Sequence, residues 1–264
     1  MLDLKNIRKT FNSRTVNEKV ALSGVNLHLD EGDFVTMIGG NGAGKSTLLN
    51  AIAGVWPIDQ GSIVLAGQDI TKLPEHRRAA LLGRVFQDPM MGTAATMQIE
   101  ENLAIAARRG KKRTLKIGIT REEREEYRER LRTLGLGLEN RMTAKVGLLS
   151  GGQRQALTLL MATLNAPKLL LLDEHTAALD PKTAAKVLAL SDRFIEESRL
   201  TALMVTHNMK DAIAHGNRLI MMNAGKIVFD ISGEEKKRLT VDDLLHAFTL
   251  STAEEFANDR ILLS

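Results

Sequence analysis

The residues Gly39-Gly40-Asn41-Gly42-Ala43-Gly44-Lys45-Ser46 read G-x-x-x-x-G-K-S, and Thr47 follows directly. An apolar run, Phe34–Ile38, precedes them and a helix-like run, Ser46–Ile52, comes after, so the context is strand, loop, helix. Glycines let backbone amides converge on phosphate oxygens where side chains would block the approach. A helix starting near Lys45 adds its positive end. This pattern assigns Lys45 to the β- and γ-phosphates of a nucleotide, Ser46 to Mg²⁺ and Thr47 to the α-phosphate. A second apolar run, Leu169–Leu172, ends in two acids, Asp173 and Glu174. Asp173 is placed to partner the metal, although two solvated acids at a strand end would look the same in isolation. A third motif is Leu149-Ser150-Gly151-Gly152-Gln153. Ser150 with Gln153 three residues on is a capping-box pattern that opens a helix running through Thr163. Gly151 and Gly152 leave that helix start bare, so its amides can face an anion.

These residues need strands and helices to hold them. Leu2–Ile7, Val25–Leu29, Phe34–Ile38 and Ser62–Leu65 read as strands bounded by turns. Leu169–Leu172 and Ala202–Val205 read as buried parallel strands. Arg218–Met222 and Lys226–Phe229, separated by Asn223-Ala224-Gly225, read as a hairpin. Between Gln87 and Gln153 the texture turns helical, with Glu100–Arg109 and Arg121–Leu134 dominant. The second helix carries Glu126–Arg130 and Glu129–Arg132 as same-face pairs. The stretch reads as a helical subdomain inserted in an α/β core, and the tail from Gly233 to Ser264 reads as mainly helical.

A chain of 264 residues can bury the core of one large domain or of a domain with a subdomain. Its 44% hydrophobic and 26% charged content argues against disorder. A formal net charge of +4 is too small to mark a nucleic-acid binder unless it is concentrated. There is no cysteine, which excludes disulfides, zinc–thiolate sites and thiol catalysis. Neither a signal peptide nor a membrane-spanning run is expected, so any service to a membrane goes through a partner.

In this order and spacing the motifs resemble the nucleotide-binding subunit of the ATP-binding cassette (ABC) family, from Phe11 to His207 and beyond. The resemblance implies a single ABC ATPase domain over residues 1–264. Its fold would be a P-loop NTPase α/β core, a mixed sheet with helices. To this are added an antiparallel β subdomain, a helical subdomain at roughly 88–162 and a short helical tail at 233–264. It implies that Glu174 polarises the attacking water, that His207 contacts the γ-phosphate, and that Gln87 senses Mg²⁺ and water. Phe11 would stack on adenine, an apolar contact with little base discrimination. Ser150, Gly151, Gly152 and Gln153 would meet the γ-phosphate of ATP held by a second subunit, and Asp180 would cross the dimer interface. The implied metal partners are Ser46, Gln87 and Asp173. Gly40, Met161, His175 and Ala177 depart from the commonest family pattern, but none removes a catalytic group.

Two further stretches bear on partners. Met90-Met91-Gly92-Thr93-Ala94-Ala95-Thr96-Met97 is uncharged and methionine-rich, suited to an adaptable surface. In transport ATPases this region, after Gln87, receives a transmembrane permease subunit. Arg108, Arg109, Lys111, Lys112, Arg113 and Lys116 form a basic run, read as a solvated loop or a contact for anionic lipid headgroups. No aromatics interleave these charges, so nucleic acid is not expected. The leading expectation is an ATPase subunit powering import of a small solute, such as an amino acid. It would act as a homodimer at the cytoplasmic face of the membrane and serve an extracytoplasmic solute-binding protein indirectly. The length and Asp69–Ala79 look like the branched-chain amino-acid branch. The alternative is a soluble ABC ATPase energising assembly, of the iron–sulfur scaffold type.

Overall fold

The computed structural model describes residues 1–111 and 118–250; Lys112, Arg113 and Lys116 of the basic run, and the tail beyond 250, lie outside these. Two compact units emerge, Met1–Pro74 with the chain from Leu203 onward, and Glu75–Ala202. In chain order the first stretch holds β1 (Leu2–Phe11), β2 (Lys19–Leu29), β3 (Phe34–Gly39), α1 (Lys45–Ala53), β4 (Gln60–Leu65) and β5 (Gln68–Asp69). The middle stretch holds α2 (Glu75–Arg78), β6 (Leu82–Val85), α3 (Ile99–Ala107), α4 (Arg121–Arg132), α5 (Gly151–Thr163), β7 (Leu169–Asp173) and α6 (Pro181–Glu197). At the unit boundary comes β8 (Thr201–Val205), then α7 (Met209–Ala214), β9 (Arg218–Asn223), β10 (Lys226–Ser232) and α8 (Gly233–Arg238).

In the first unit, β2-β1-β4-β5 form an antiparallel sheet. β1 runs four residues past the expected Ile7. Register shifts at Leu4/Ile7, Ile7/Arg8 and Lys9/Thr10 break the alternation that marks a strand in sequence. Asp59 holds the extended tip, accepting from the Thr10 amide at 2.6 Å and from Lys9 Nζ at 3.0 Å. The second sheet of this unit has the order β10-β9-β3-β8, with β3 parallel to β9. The expected β9–β10 hairpin forms across Ala224 and Gly225, both at positive φ as a two-residue turn requires. Apolar packing beneath joins Ile38, Ala212, Leu219 and Met221 to Leu244 of the tail, which is helical from 241 to 250.

In the second unit β6 runs parallel to β7. At four residues β6 is too short to declare itself in sequence. α3 and α4 sit near their expected places, and Glu126–Arg130 at 3.9 Å and Glu129–Arg132 form the expected surface pairs. Stronger is a bidentate bond from Arg124 to Glu100, at 2.8 and 2.9 Å, that ties α4 to α3. Arg108 donates to the Ala104 and Gly118 carbonyls and to Glu123. Arg109 donates to the Ala162 carbonyl, and burial pulls its guanidinium below the ordinary pKa. Both arginines at the head of the basic run thus bond within the helical segment, Arg108 while 39% exposed.

Candidate nucleotide-binding and hydrolytic sites

The phosphate loop begins where β3 stops. Gly39 has φ 150, and a Cβ there would lie 2.3 Å from the Met222 carbonyl oxygen at the end of β9. Gly44, at φ 103, is the N-cap of α1, and a Cβ on it would meet the Ala21 carbonyl at 2.6 Å. The loop is therefore clamped between β9 and β2, and only glycine fits the clamp. No side chain caps the α1 N-terminus and no acid lies in its first turn, so its amides remain available to an anion. Lys45 is 5% exposed and folds back along the loop, donating to the Gly39 and Gly40 carbonyls at 2.7 and 3.0 Å. Ala43 is buried, whereas Asn41, Gly42 and Ser46 are exposed and Thr47 is half-buried. Gly40, where the family commonly has proline, borders Phe248 of the tail, whose Cζ lies 3.4 Å from a Cβ built there.

Phe11 ends β1 and pairs in register with Lys19 of β2. Lys19 Nζ approaches to 3.5 Å of a Cβ built on Gly42, so the aromatic tip is tethered beside the phosphate loop. The Phe11 ring meets Trp56 edge-on, with centroids 4.9 Å apart, and Lys9 Nζ lies 5.5 Å from its centre. Lys19 and Trp56 were missed in sequence because neither belongs to a motif. Register alone brings the first in, and the loop after α1 brings the second. His207 follows β8 directly. The Thr206 amide donates to the Met37 carbonyl at 3.1 Å, which sets the exposed histidine beside the β3 end that feeds the loop.

The second unit holds the other candidates. Ser150 caps α5 by accepting from the Gln153 amide at 3.3 Å, while Gln153 Oε1 accepts from the Ser150 amide at 3.2 Å. The expected capping box forms, and Ser150 and Gly151 are exposed. A Cβ on Gly152 would lie 2.2 Å from Thr183 Cγ2, so α5 starts hard against the first turn of α6. Asp180 caps α6 by accepting from the Thr183 amide at 3.0 Å, and the Thr183 contacts hold its carboxyl below the usual range. Gln87 is exposed two residues beyond β6. At the end of β7, Asp173 accepts from Arg84 at 3.3 Å. Glu174 has φ 46, a left-handed backbone that costs a non-glycine residue about 1–3 kcal/mol.

The family model described as ABC transporter matches residues 22–177, more than half of the chain. The chain belongs to the ABC transporter family. This ABC ATPase is 44% identical to the tyrosine transport ATP-binding protein of Clostridioides difficile, over 94% of its own length and 98% of the relative's. It is 35% identical to the spermidine/putrescine import ATP-binding protein PotA of Spiroplasma citri over 86% of its length, spanning 60% of that protein. Among solved structures it is similar to a dimeric ATP-binding cassette in a post-hydrolysis state, bound to ADP and Pi. The TM-score is 0.75 at 30% identity, covering 88% of this chain and 98% of that one. It is an ATPase that works on ATP with Mg²⁺.

The residues in hand fit those groups. The glycine clamp and uncapped α1 suit phosphate oxygens, the Ser46 hydroxyl is a hard oxygen donor of the kind Mg²⁺ takes, and the Asp173 carboxylate is a hydrogen-bond acceptor of the kind that orients metal-bound water. The contact between Gly152 and Thr183 gives a direct test of how α5 and α6 depend on each other. Gly152→Ala should destabilise the cassette by about 1–3 kcal/mol, the range for overpacking. Thr183→Ala in the same chain should restore most of that loss. Thermal melts of the single and double variants measure the coupling; simple additivity would mean that the contact carries no energy.

Proposed function

We propose that this chain is the ATP-hydrolysing subunit of an importer for a small solute, an amino acid by preference. It would work as a homodimer on the cytoplasmic face of the membrane beneath a separate permease. The observation that carries the reading is the near full-length match, at 44% identity, to a tyrosine transport subunit. An aligned relative named for polyamine import supports the direction. The stretch Asp69–Ala79 favours the branched-chain amino-acid type. No helix among the described residues is long and apolar enough to cross a membrane, so the permease would be another chain. Met90 and Met91, 44% and 70% exposed after Gln87, offer the adaptable contact such a permease needs.

In this reading the division of labour follows from the side chains. Phe11 stacks on the base, and the amides of residues 39–47 with Lys45 neutralise the phosphates. Ser46, Gln87 and Asp173 would hold Mg²⁺, which when bound would supply positive charge beside the phosphates. Glu174 orients and polarises the attacking water, and His207 steadies the γ-phosphate. Ser150, Gly151, Gly152 and Gln153 form the capped start of α5, where the exposed Ser150 and Gly151 would meet an anion brought by another molecule. A second copy would bring it, with Asp180 beside the seam. The helical segment 88–162 would then carry the docking and signature surfaces within one ATPase domain spanning 1–264.

Gentle affinity purification of the tagged chain from its native membranes tests the proposal. A polytopic membrane protein should come with it, and the solute-binding protein encountered by that permease would identify the solute. Recovery with a soluble assembly factor alone, and absence from membranes, would replace the importer with a soluble assembly ATPase.

A further inference from the structure

Arg84 is bonded to Asp173, the acid at the end of β7. It sits in β6 in register with Leu171, and Val85 pairs with Leu172 one residue before Asp173. Its Nη2 donates to Asp173 Oδ2 at 3.3 Å, with the two side chains only 13% and 15% exposed. Two residues on, the Phe86 ring lies beneath the guanidinium, with Cζ 4.5 Å from the ring centre. Arg84 Nε is buried without a partner. The Phe86 carbonyl in turn accepts from Gln155 Nε2 of α5 at 3.2 Å, which fixes the segment that leads into Gln87. The guanidinium is thus held from two sides against a carboxylate that has little access to water.

A carboxylate has a limited set of lone pairs, and two cations that draw on it compete. At low exposure their mutual repulsion is poorly screened. We propose that Arg84 competes with Mg²⁺ for the Asp173 carboxylate and so sets the metal concentration at which ATP binds. Arg84 is a positioning residue here: it acts through Asp173, and through Phe86 on the approach to Gln87. The inference rests on the assignment of Asp173 to the metal, and its test separates the two.

The measurement is equilibrium binding of a non-hydrolysable ATP analogue to the full chain, in EDTA and across a Mg²⁺ titration. Its readout is the ratio of affinities with and without metal, which does not depend on the fraction of protein that is active. Arg84→Met should raise that ratio about fivefold and lower the half-saturating Mg²⁺ to match, because a repelling unit charge is gone. Arg84→Lys loses the stacking on Phe86 but keeps the unit charge that competes for Asp173, and should stay within about twofold of the parent. Asp173→Asn should lower the ratio. An unchanged ratio in Arg84→Met, with Asp173→Asn lowered as expected, would overturn the role of Arg84 and leave it a plain ion pair between β6 and β7. An unchanged ratio in Asp173→Asn would remove Asp173 from the metal site itself.

Discussion

Glu174→Gln should bind ATP as tightly as the parent chain and hydrolyse it about 100- to 10,000-fold more slowly, the span of a lost general base. Glutamine keeps the size and the hydrogen-bonding reach of glutamate but has no anionic oxygen to draw a proton from water. The left-handed backbone at residue 174 strengthens the expectation. A strained residue persists where its surroundings hold it, and that position sits one step beyond the acid assigned to the metal. The substitution leaves the backbone demand unchanged, so the loss would report on the carboxylate and not on the turn. Because binding survives while turnover stops, the variant should accumulate as an ATP-bound dimer, visible as a doubled mass by light scattering. Turnover at the parent rate would remove Glu174 as the base.

What the sequence revealed, it revealed through short-range rules. The glycine loop, the Ser150–Gln153 box and the leucine strand are each set by neighbours a few residues apart, and each forms where expected. Strand ends were harder to read. β1 reaches Phe11 only because bulges shift its faces and Asp59, far along the chain, anchors its tip. Contacts of high sequence separation were invisible: Lys19 beside Gly42, Trp56 against Phe11 and Arg84 on Asp173. Of these, the last has the most direct bearing on chemistry. In the basic run, composition gave no sign that Arg108 and Arg109 also bond to backbone carbonyls of the helical segment.

Lys45→Ala should lose ATP affinity itself, by roughly 100-fold, the effect of truncating one partner of a buried charge pair. The lysine has two jobs that the experiment must separate. Its ammonium donates to the Gly39 and Gly40 carbonyls, which shapes the loop, and it is a buried cation in the first turn of α1, whose amides would hold phosphate. Without nucleotide, any fall in melting temperature measures the first job alone. With ATP at about 100 times the parent dissociation constant, the parent gains about 2.7 kcal/mol of stability by mass action. A variant bound 100-fold more weakly gains only about 0.4 kcal/mol at the same concentration. Loss of the nucleotide-induced shift, with the nucleotide-free melt near the parent's, would place the lysine on phosphate. If the shift survives in full, the phosphate role is wrong and Lys45 is a strut of the loop. Because Met222 and Ala21 already crowd the loop at its two glycines, the loop has supports besides Lys45, and the first outcome is the expected one.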